Sequence, residues 1–175
     1  MIAALGAVPV KPAIPGIEGA GVLCANDAFA APEKVGQRVV VLGGGFVGLE
    51  LAIYLHSLGR EVTVVEQAEA PNTASNMLHG QAVTIKLSEE KLPLLLSTRA
   101  EEITPAGVVC TGSEGRSILP ADTVVYAVGQ RALYEETAAL YDAAPLFFPV
   151  GDCVRPRNIA EANAEARSAA LGLGR

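Results

Sequence analysis

Uninterrupted apolar runs, each closed by a turn residue or an acid, set the rhythm of this chain. Residues 38–42 read R-V-V-V-L and run into Gly43-Gly44-Gly45. Residues 61–65 read E-V-T-V-V and stop at Glu66; residues 123–128 read T-V-V-Y-A-V and stop at Gly129. Short β-branched runs without polar alternation predict strands covered on both faces, as in a parallel sheet. Two further apolar pieces, 94–97 and 146–150, predict additional strands. Between the first two runs the period changes. Val47, Leu51, Leu55 and Leu58 recur at helical spacing and predict a helix over 46–58 that Gly59 stops. A second helix is predicted over 72–91, with Met77, Val83 and Leu87 as buried candidates.

The remaining segments follow other rules. Residues 1–36 are rich in Gly, Pro and Ala and read as extended or turn-like around Val8–Ile17. A short helix is predicted over 26–31, capped by Asn26 or Asp27. In 99–119 the apolar pieces Ile103, Val108-Val109-Cys110 and Ile118-Leu119 are separated by Pro105-Ala106-Gly107 and Gly112-Ser113-Glu114-Gly115. That spacing predicts a three-stranded antiparallel meander. The last helix is predicted to start after Pro156. Asn158 and Glu161 stand at capping-box spacing, and one face carries Ile159, Ala162, Ala166 and Ala169 or Ala170.

The turn after the first run carries the candidate chemistry. Gly43, Gly45 and Gly48 spell G-x-G-x-x-G, with a further glycine at Gly44. The first glycine lets the chain leave the strand sharply. The second lets backbone approach a pyrophosphate with no Cβ in between, and the third lets the helix lie close to the strand. The helix would aim the free N–H groups of its first turn, at Phe46 and Val47, at the phosphates, and its dipole favours negative charge there. Glu66 stands 66 − 48 = 18 residues beyond the last glycine, near the spacing of about 20 at which an acid receives the adenosine ribose hydroxyls. A carboxylate repels a 2′-phosphate, and Gln67 and Ala68 offer no arginine to receive one. NAD(H) is therefore favoured over NADP(H). The bland alternative is a glycine turn used for packing alone, with Glu66 as a solvated strand end.

Composition narrows the class. The 175 residues are 50% hydrophobic with a net charge of −6, enough chain to bury about 70% of its unfolded surface. No basic stripe suggests nucleic acid, and no apolar run approaches the length that spans a bilayer. An oligomer is compatible with this composition. Cys24, Cys110 and Cys153 are far apart, without a C-x-x-C pair. They read as small buried hydrophobes in a reducing, cytoplasmic setting, and they argue against a metal site within this chain. His56 and His79 have no cysteine or histidine at ligand spacing and read as surface or packing residues.

With these pieces in order, the chain resembles the pyridine-nucleotide-disulfide oxidoreductase superfamily. The resemblance rests on Ala4-Leu5-Gly6-Ala7-Val8-Pro9, on Gly43 to Glu50, on Tyr126-Ala127-Val128-Gly129-Gln130 and on Val150-Gly151-Asp152-Cys153. It implies an α/β fold: a three-layer ββα Rossmann-like NAD(P)-binding domain, with a parallel central sheet and an antiparallel three-stranded meander. It also implies an organisation. Residues 1–36 would lead out of an FAD domain, 37–130 would bind NAD(H), and 131–175 would return with an FAD-contacting Gly-Asp motif and a C-terminal helix. Glu50 and Gly129 would sit near the nicotinamide, and Asp152 would bond the flavin ribityl chain. For Glu50 the plain alternative is a dipole-stabilising carboxylate, and for Asp152 it is a cap.

The run from Gly151 to Ile159 is most similar to NADH:flavin oxidoreductases of the 2-enoate reductase and 2,4-dienoyl-CoA reductase type. In these, an old-yellow-enzyme-like barrel with FMN and an iron–sulfur cluster precedes the FAD and NAD domains. The FAD-binding glycine motif that precedes the first crossover in relatives has no counterpart here, and Leu5 replaces a usual threonine. An excised NAD(H)-binding segment, inactive alone and partnered by FAD-binding and barrel domains of the same protein, is the reading this implies. No residue is a convincing acid, base or nucleophile. The other readings are a stand-alone NAD-sensing module and an S-adenosylmethionine-dependent methyltransferase; the crossover and Gly-Asp motifs speak against the latter.

Overall fold

A computed structural model describes residues 1–73 and 77–173. The chain divides into two compact units, one formed by Lys11–Gly129 and the other by Met1–Val10 with Gln130–Arg175. The strands β1 (Ile2–Ala3) and β2 (Ala7–Pro9) belong to the second of these.

The larger unit is built on a parallel sheet. Its strands are β3 (Val22–Cys24), β4 (Arg38–Leu42), β5 (Glu61–Val65), β6 (Leu94–Leu95) and, after the meander of β7 (Arg99–Thr104), β8 (Gly107–Gly112) and β9 (Gly115–Leu119), β10 (Thr123–Tyr126). The order across the sheet is β3-β10-β4-β5-β6, all parallel. Strand alternation sends alternate residues to opposite faces, and here both faces are covered. Val39, Val41, Val62, Val64 and Val125 join one buried cluster with α1 (Ala25–Ala30), α2 (Phe46–Ser57) and α3 (Met77–Glu89). Val40, Leu42, Val65 and Val124 join a second with Val108 and Cys110 of the meander. Helices, parallel sheet and meander are thus three layers, and the valine runs lack alternation because neither face meets water.

Several expectations are corrected in detail. In α2 the buried residues are Gly48, Leu49, Leu51, Ala52 and Leu55, whereas Val47 and Leu58 are 38% and 47% exposed. Gly48 sets the helix's rotation, because it must face the strand. The described part of α3 is Met77–Glu89 and does not extend back to Asn72, whose backbone is instead paired with the glycine turn. The expected residues 74–76 of that helix lie outside the described residues. Met77 is 71% exposed, while Val83 and Leu87 are buried. Helix α1 is capped by neither Asn26 nor Asp27: the Cys24 thiol accepts from the Asp27 N–H at 3.4 Å. Cys24 is therefore a half-buried cap, with its thiol pKa pushed up mainly by burial. Strand β6 stops at Leu95, because Ser97 turns back at φ +48° and donates to the Ala68 carbonyl.

One exposed ion pair ties β10 to β4. The Arg38 guanidinium donates to Asp122 with Nη2 at 2.6 Å from Oδ1, and the Arg38 N–H donates to Oδ2 at 2.9 Å. These bonds hold the Asp122 carboxyl at about 2, below its ordinary 3.8. A carboxyl with a lowered folded-state pKa stabilises above its unfolded pKa, about pH 4, and that stabilisation is lost as the pH falls toward 2. Melting temperatures taken from pH 5 down to 2 should therefore drop less steeply for Asp122→Asn than for the parent.

In the smaller unit, β1 pairs in parallel with β12 (Phe148–Pro149), and β2 pairs antiparallel with β11 (Gln130–Ala132). The expected strand over 146–150 is reduced to Phe148–Pro149, held to β1 by the Phe148 and Val150 N–H groups. A short helix, α4 (Tyr134–Ala138), precedes it, and α5 (Ile159–Gly172) closes the chain. Asn158 caps α5 as expected, its Oδ1 accepting from the Glu161 N–H at 3.0 Å. Of the small-residue face only Ala169 is fully buried, and Ile159 is 80% exposed.

Candidate functional site

Strand order reverses between β4 and β10: from β4 the chain proceeds through β5 to β6 on one side, while β10 and β3 flank it on the other. In open parallel sheets the crevice at the carboxyl ends of such neighbouring strands is where ligands bind. Gly43 leaves β4 into this crevice at φ +116°. A Cβ there would lie 2.5 Å from the Ala127 carbonyl oxygen, so conformation and packing both require glycine.

The other glycines are required for different reasons. A Cβ on Gly48 would lie 2.0 Å from the Gly43 oxygen, so the first turn of α2 rests on the strand exit. A Cβ on Gly44 would lie 2.9 Å from Glu66 Cβ and 3.0 Å from its Cγ. Gly45 is unlike these three. Its backbone is extended (φ −82°, ψ 176°), which any residue adopts, and a Cβ there would have only the Asn72 carbonyl oxygen nearby, at 3.9 Å. Nothing in the described protein explains a glycine at this position. Gly45 caps α2 with no side-chain acceptor, so no side chain occupies the first-turn N–H groups.

Glu66 stands where β5 ends. Its Oε2 accepts from the Gly44 N–H at 2.6 Å and its Oε1 from the Ala68 N–H at 2.8 Å. Two main-chain donors fix the carboxylate at the lip of the glycine turn. Asn72 closes the opposite edge: its N–H donates to the Gly44 carbonyl at 3.0 Å, and it forms a parallel bridge with Gly45.

The remaining candidates fall into place around this turn or away from it. Phe46 and Val47 open α2; Phe46 packs on the His79 ring with centroids 4.8 Å apart, and Val47 is exposed. The Glu50 Oε1 lies 2.7 Å from His79 Nε2, which links α3 to the start of α2. Gly129 follows β10 at φ +138°, two residues beyond Ala127. Asp152 belongs to the other unit. There its Oδ1 accepts from the Arg157 N–H at 3.2 Å, and Gly151 N–H donates to Glu165 Oε2 at 2.6 Å. Glu165 also pairs with Arg157. Asn72, Ala127 and His79, the partner of Glu50, were not singled out from the sequence as parts of this site. No spacing rule signals them, because each reaches the turn through non-local packing.

A family model described as pyridine nucleotide-disulphide oxidoreductase matches residues 1–143. A metal reductase of Desulforamulus reducens is 30% identical over 98% of this chain and 30% of its own length. A bilirubin reductase of Mediterraneibacter gnavus is 35% identical over 87% of this chain and 24% of its own. This chain thus spans less than a third of either relative. Among solved structures, a 2-naphthoyl-CoA reductase in complex with 2-naphthoyl-CoA superposes with a TM-score of 0.85 at 28% identity, covering 92% of this chain and 25% of that one. A glycine turn backed by Ala127, a carboxylate set against it and a match over most of the sequence lead to one conclusion: the chain belongs to the pyridine nucleotide-disulphide oxidoreductase family.

Proposed function

We propose that this chain is the NAD(H)-binding part of a flavin-dependent NADH oxidoreductase and holds NADH for hydride transfer to FAD. Family membership implies NAD(P)H and FAD as cofactors. The observation that carries the dinucleotide site is Gly45: a glycine without a steric or conformational need among the described residues, at a helix start that no side chain caps, suits a phosphate at van der Waals distance from backbone. The first-turn amides at Gly45, Phe46 and Val47 would hold the diphosphate, and Glu66 would accept the ribose hydroxyls. A 2′-phosphate would meet the Glu66 carboxylate, which is the reason for preferring NADH to NADPH. Bound NADH supplies the hydride. Glu50, anchored by His79, and Gly129 would flank its nicotinamide, and Asp152 would receive the flavin ribityl chain on the oxygen that Arg157 leaves open.

The finer reading is an oxidoreductase of the enoate or dienoyl-CoA reductase type, in which barrel, FMN and iron–sulfur domains elsewhere in the same protein carry electrons to an unsaturated acyl substrate in the cytoplasm. The 2-naphthoyl-CoA reductase likeness supports it. On this reading the chain alone binds NADH and reduces nothing.

Calorimetric titration of the purified chain with NADH, NADPH, FAD and S-adenosylmethionine tests the proposal. NADH should bind well ahead of NADPH, and Glu66→Ala should weaken NADH by about tenfold or more, the worth of hydrogen bonds to a charged acceptor. Binding of S-adenosylmethionine alone would overturn the reading. Unchanged NADH affinity in Glu66→Ala would remove the ribose role.

A further inference from the structure

The edge of the cradle that faces the glycine turn is Asn72, and we propose that its carboxamide is a ligand of the dinucleotide's diphosphate. The assignment rests on the reading that this turn holds such a ligand and adds a side chain that the glycine motif does not contain.

Three observations converge on Asn72. Its backbone is locked to the turn, with its N–H donating to Gly44 O at 3.0 Å and a parallel bridge joining it to Gly45. Residues paired across a β-bridge send their side chains to the same face. The Asn72 side chain therefore leaves on the face where the missing Cβ of Gly45 leaves room, a space whose nearest atom among the described residues is the Asn72 carbonyl oxygen, 3.9 Å from that Cβ position. Asn72 is also exposed, and among the described residues its carboxamide makes no hydrogen bond.

The chemistry fits an anion beside a carboxylate. The turn offers backbone donors but no lysine or arginine, and Glu66 stands at its lip. A cationic side chain on this edge would compete for Glu66 and draw it from the ribose. A carboxamide supplies two N–H donors with no charge, so it can bond a phosphate oxygen and leave Glu66 on its two main-chain donors, free of an ion pair. An aspartate is the same shape and would repel the phosphates.

The test titrates the 175-residue chain with NADH and ADP-ribose by calorimetry, and with adenosine by NMR shift perturbation. Asn72→Ala should weaken NADH and ADP-ribose by about tenfold and leave adenosine unchanged. Asn72→Asp should weaken both diphosphates by about a hundredfold in dilute buffer, with much of that loss recovered at about 0.5 M salt. Asn72→Ser, which keeps a donor, should fall between the parent and the alanine variant. The bonds that hold this residue are main-chain bonds, so melting temperatures should match the parent; if Asn72→Ala fails to fold, the isosteric Asn72→Asp carries the test. Parent-like affinity of a folded variant for NADH and ADP-ribose overturns the assignment alone. An equal loss for adenosine also overturns it, because the contact would then be to the nucleoside. A folded parent that binds neither NADH nor ADP-ribose overturns the dinucleotide reading itself, and this assignment with it.

Discussion

Gly45→Val should leave the protein folded and remove NADH binding. Backbone at φ −82° and ψ 176° accepts a β-branched residue, and among the described residues no atom lies closer than 3.9 Å to the position of its Cβ. Melting temperature should stay within about 2 °C of the parent, because surface substitutions away from special backbone or packed sites change stability by roughly 0.5 kcal/mol or less. The ligand has no such freedom. Two methyl groups placed over the first-turn amides would push a phosphate out of reach of those donors. Affinity should fall by about a hundredfold or more, equivalent to about 2.7 kcal/mol. Calorimetry alongside thermal melts checks both halves. Retained affinity would mean that the phosphates lie elsewhere, and a collapse of the melt would reveal a packing constraint at this glycine.

Gly48→Ala should do the reverse. A methyl group 2.0 Å from the Gly43 oxygen and 3.1 Å from its carbonyl carbon cannot be accommodated by a side-chain swing. Gly43 is itself fixed, its N–H donating to the Val65 carbonyl at 2.9 Å. The helix must lift from the strand or the turn must open, and either breaks the packing of Leu51, Ala52 and Leu55, all fully buried beneath α2. We expect a loss of about 3 kcal/mol or more, which for a chain of this size is a drop of roughly 6–12 °C in melting temperature. Denaturant titration followed by circular dichroism reads it directly. Stability within about 1 kcal/mol of the parent would show the helix–strand contact to be looser than the geometry indicates. Three residues apart in one motif, the two substitutions separate what glycine does for the ligand from what it does for the fold.

The sheet and its two coverings were legible because period is a local property. Valines at consecutive positions in 39–41 and 124–125 require two apolar faces, and two short turns between apolar pieces require a meander. The glycine turn and Glu66 were legible for the same reason, since their spacing lies within one strand–helix–strand unit. What failed was whatever depends on rotation or on distant backbone. Spacing identified the apolar residues of α2 but not the side that faces in; Gly48 decides that, placing Leu49 inside and Val47 outside. Asn72 looked like the start of a helix because its neighbours suit one, and the pull of the Gly44 carbonyl cannot be read from them. Cys24 became a cap because it ends a strand where α1 begins, a position in which even a weak sulfur acceptor serves.

The two main-chain bonds to Glu66 bear on the kinetics of capture. An acidic side chain that must choose among rotamers on meeting a sugar gives up torsional entropy at that moment, on the order of 1–2 kcal/mol for a long polar chain. Here that loss is already incurred during folding. If the proposed ribose contact holds, sugar docking at this lip needs no conformational search, and encounter should follow a single second-order phase, free of any slower rearrangement.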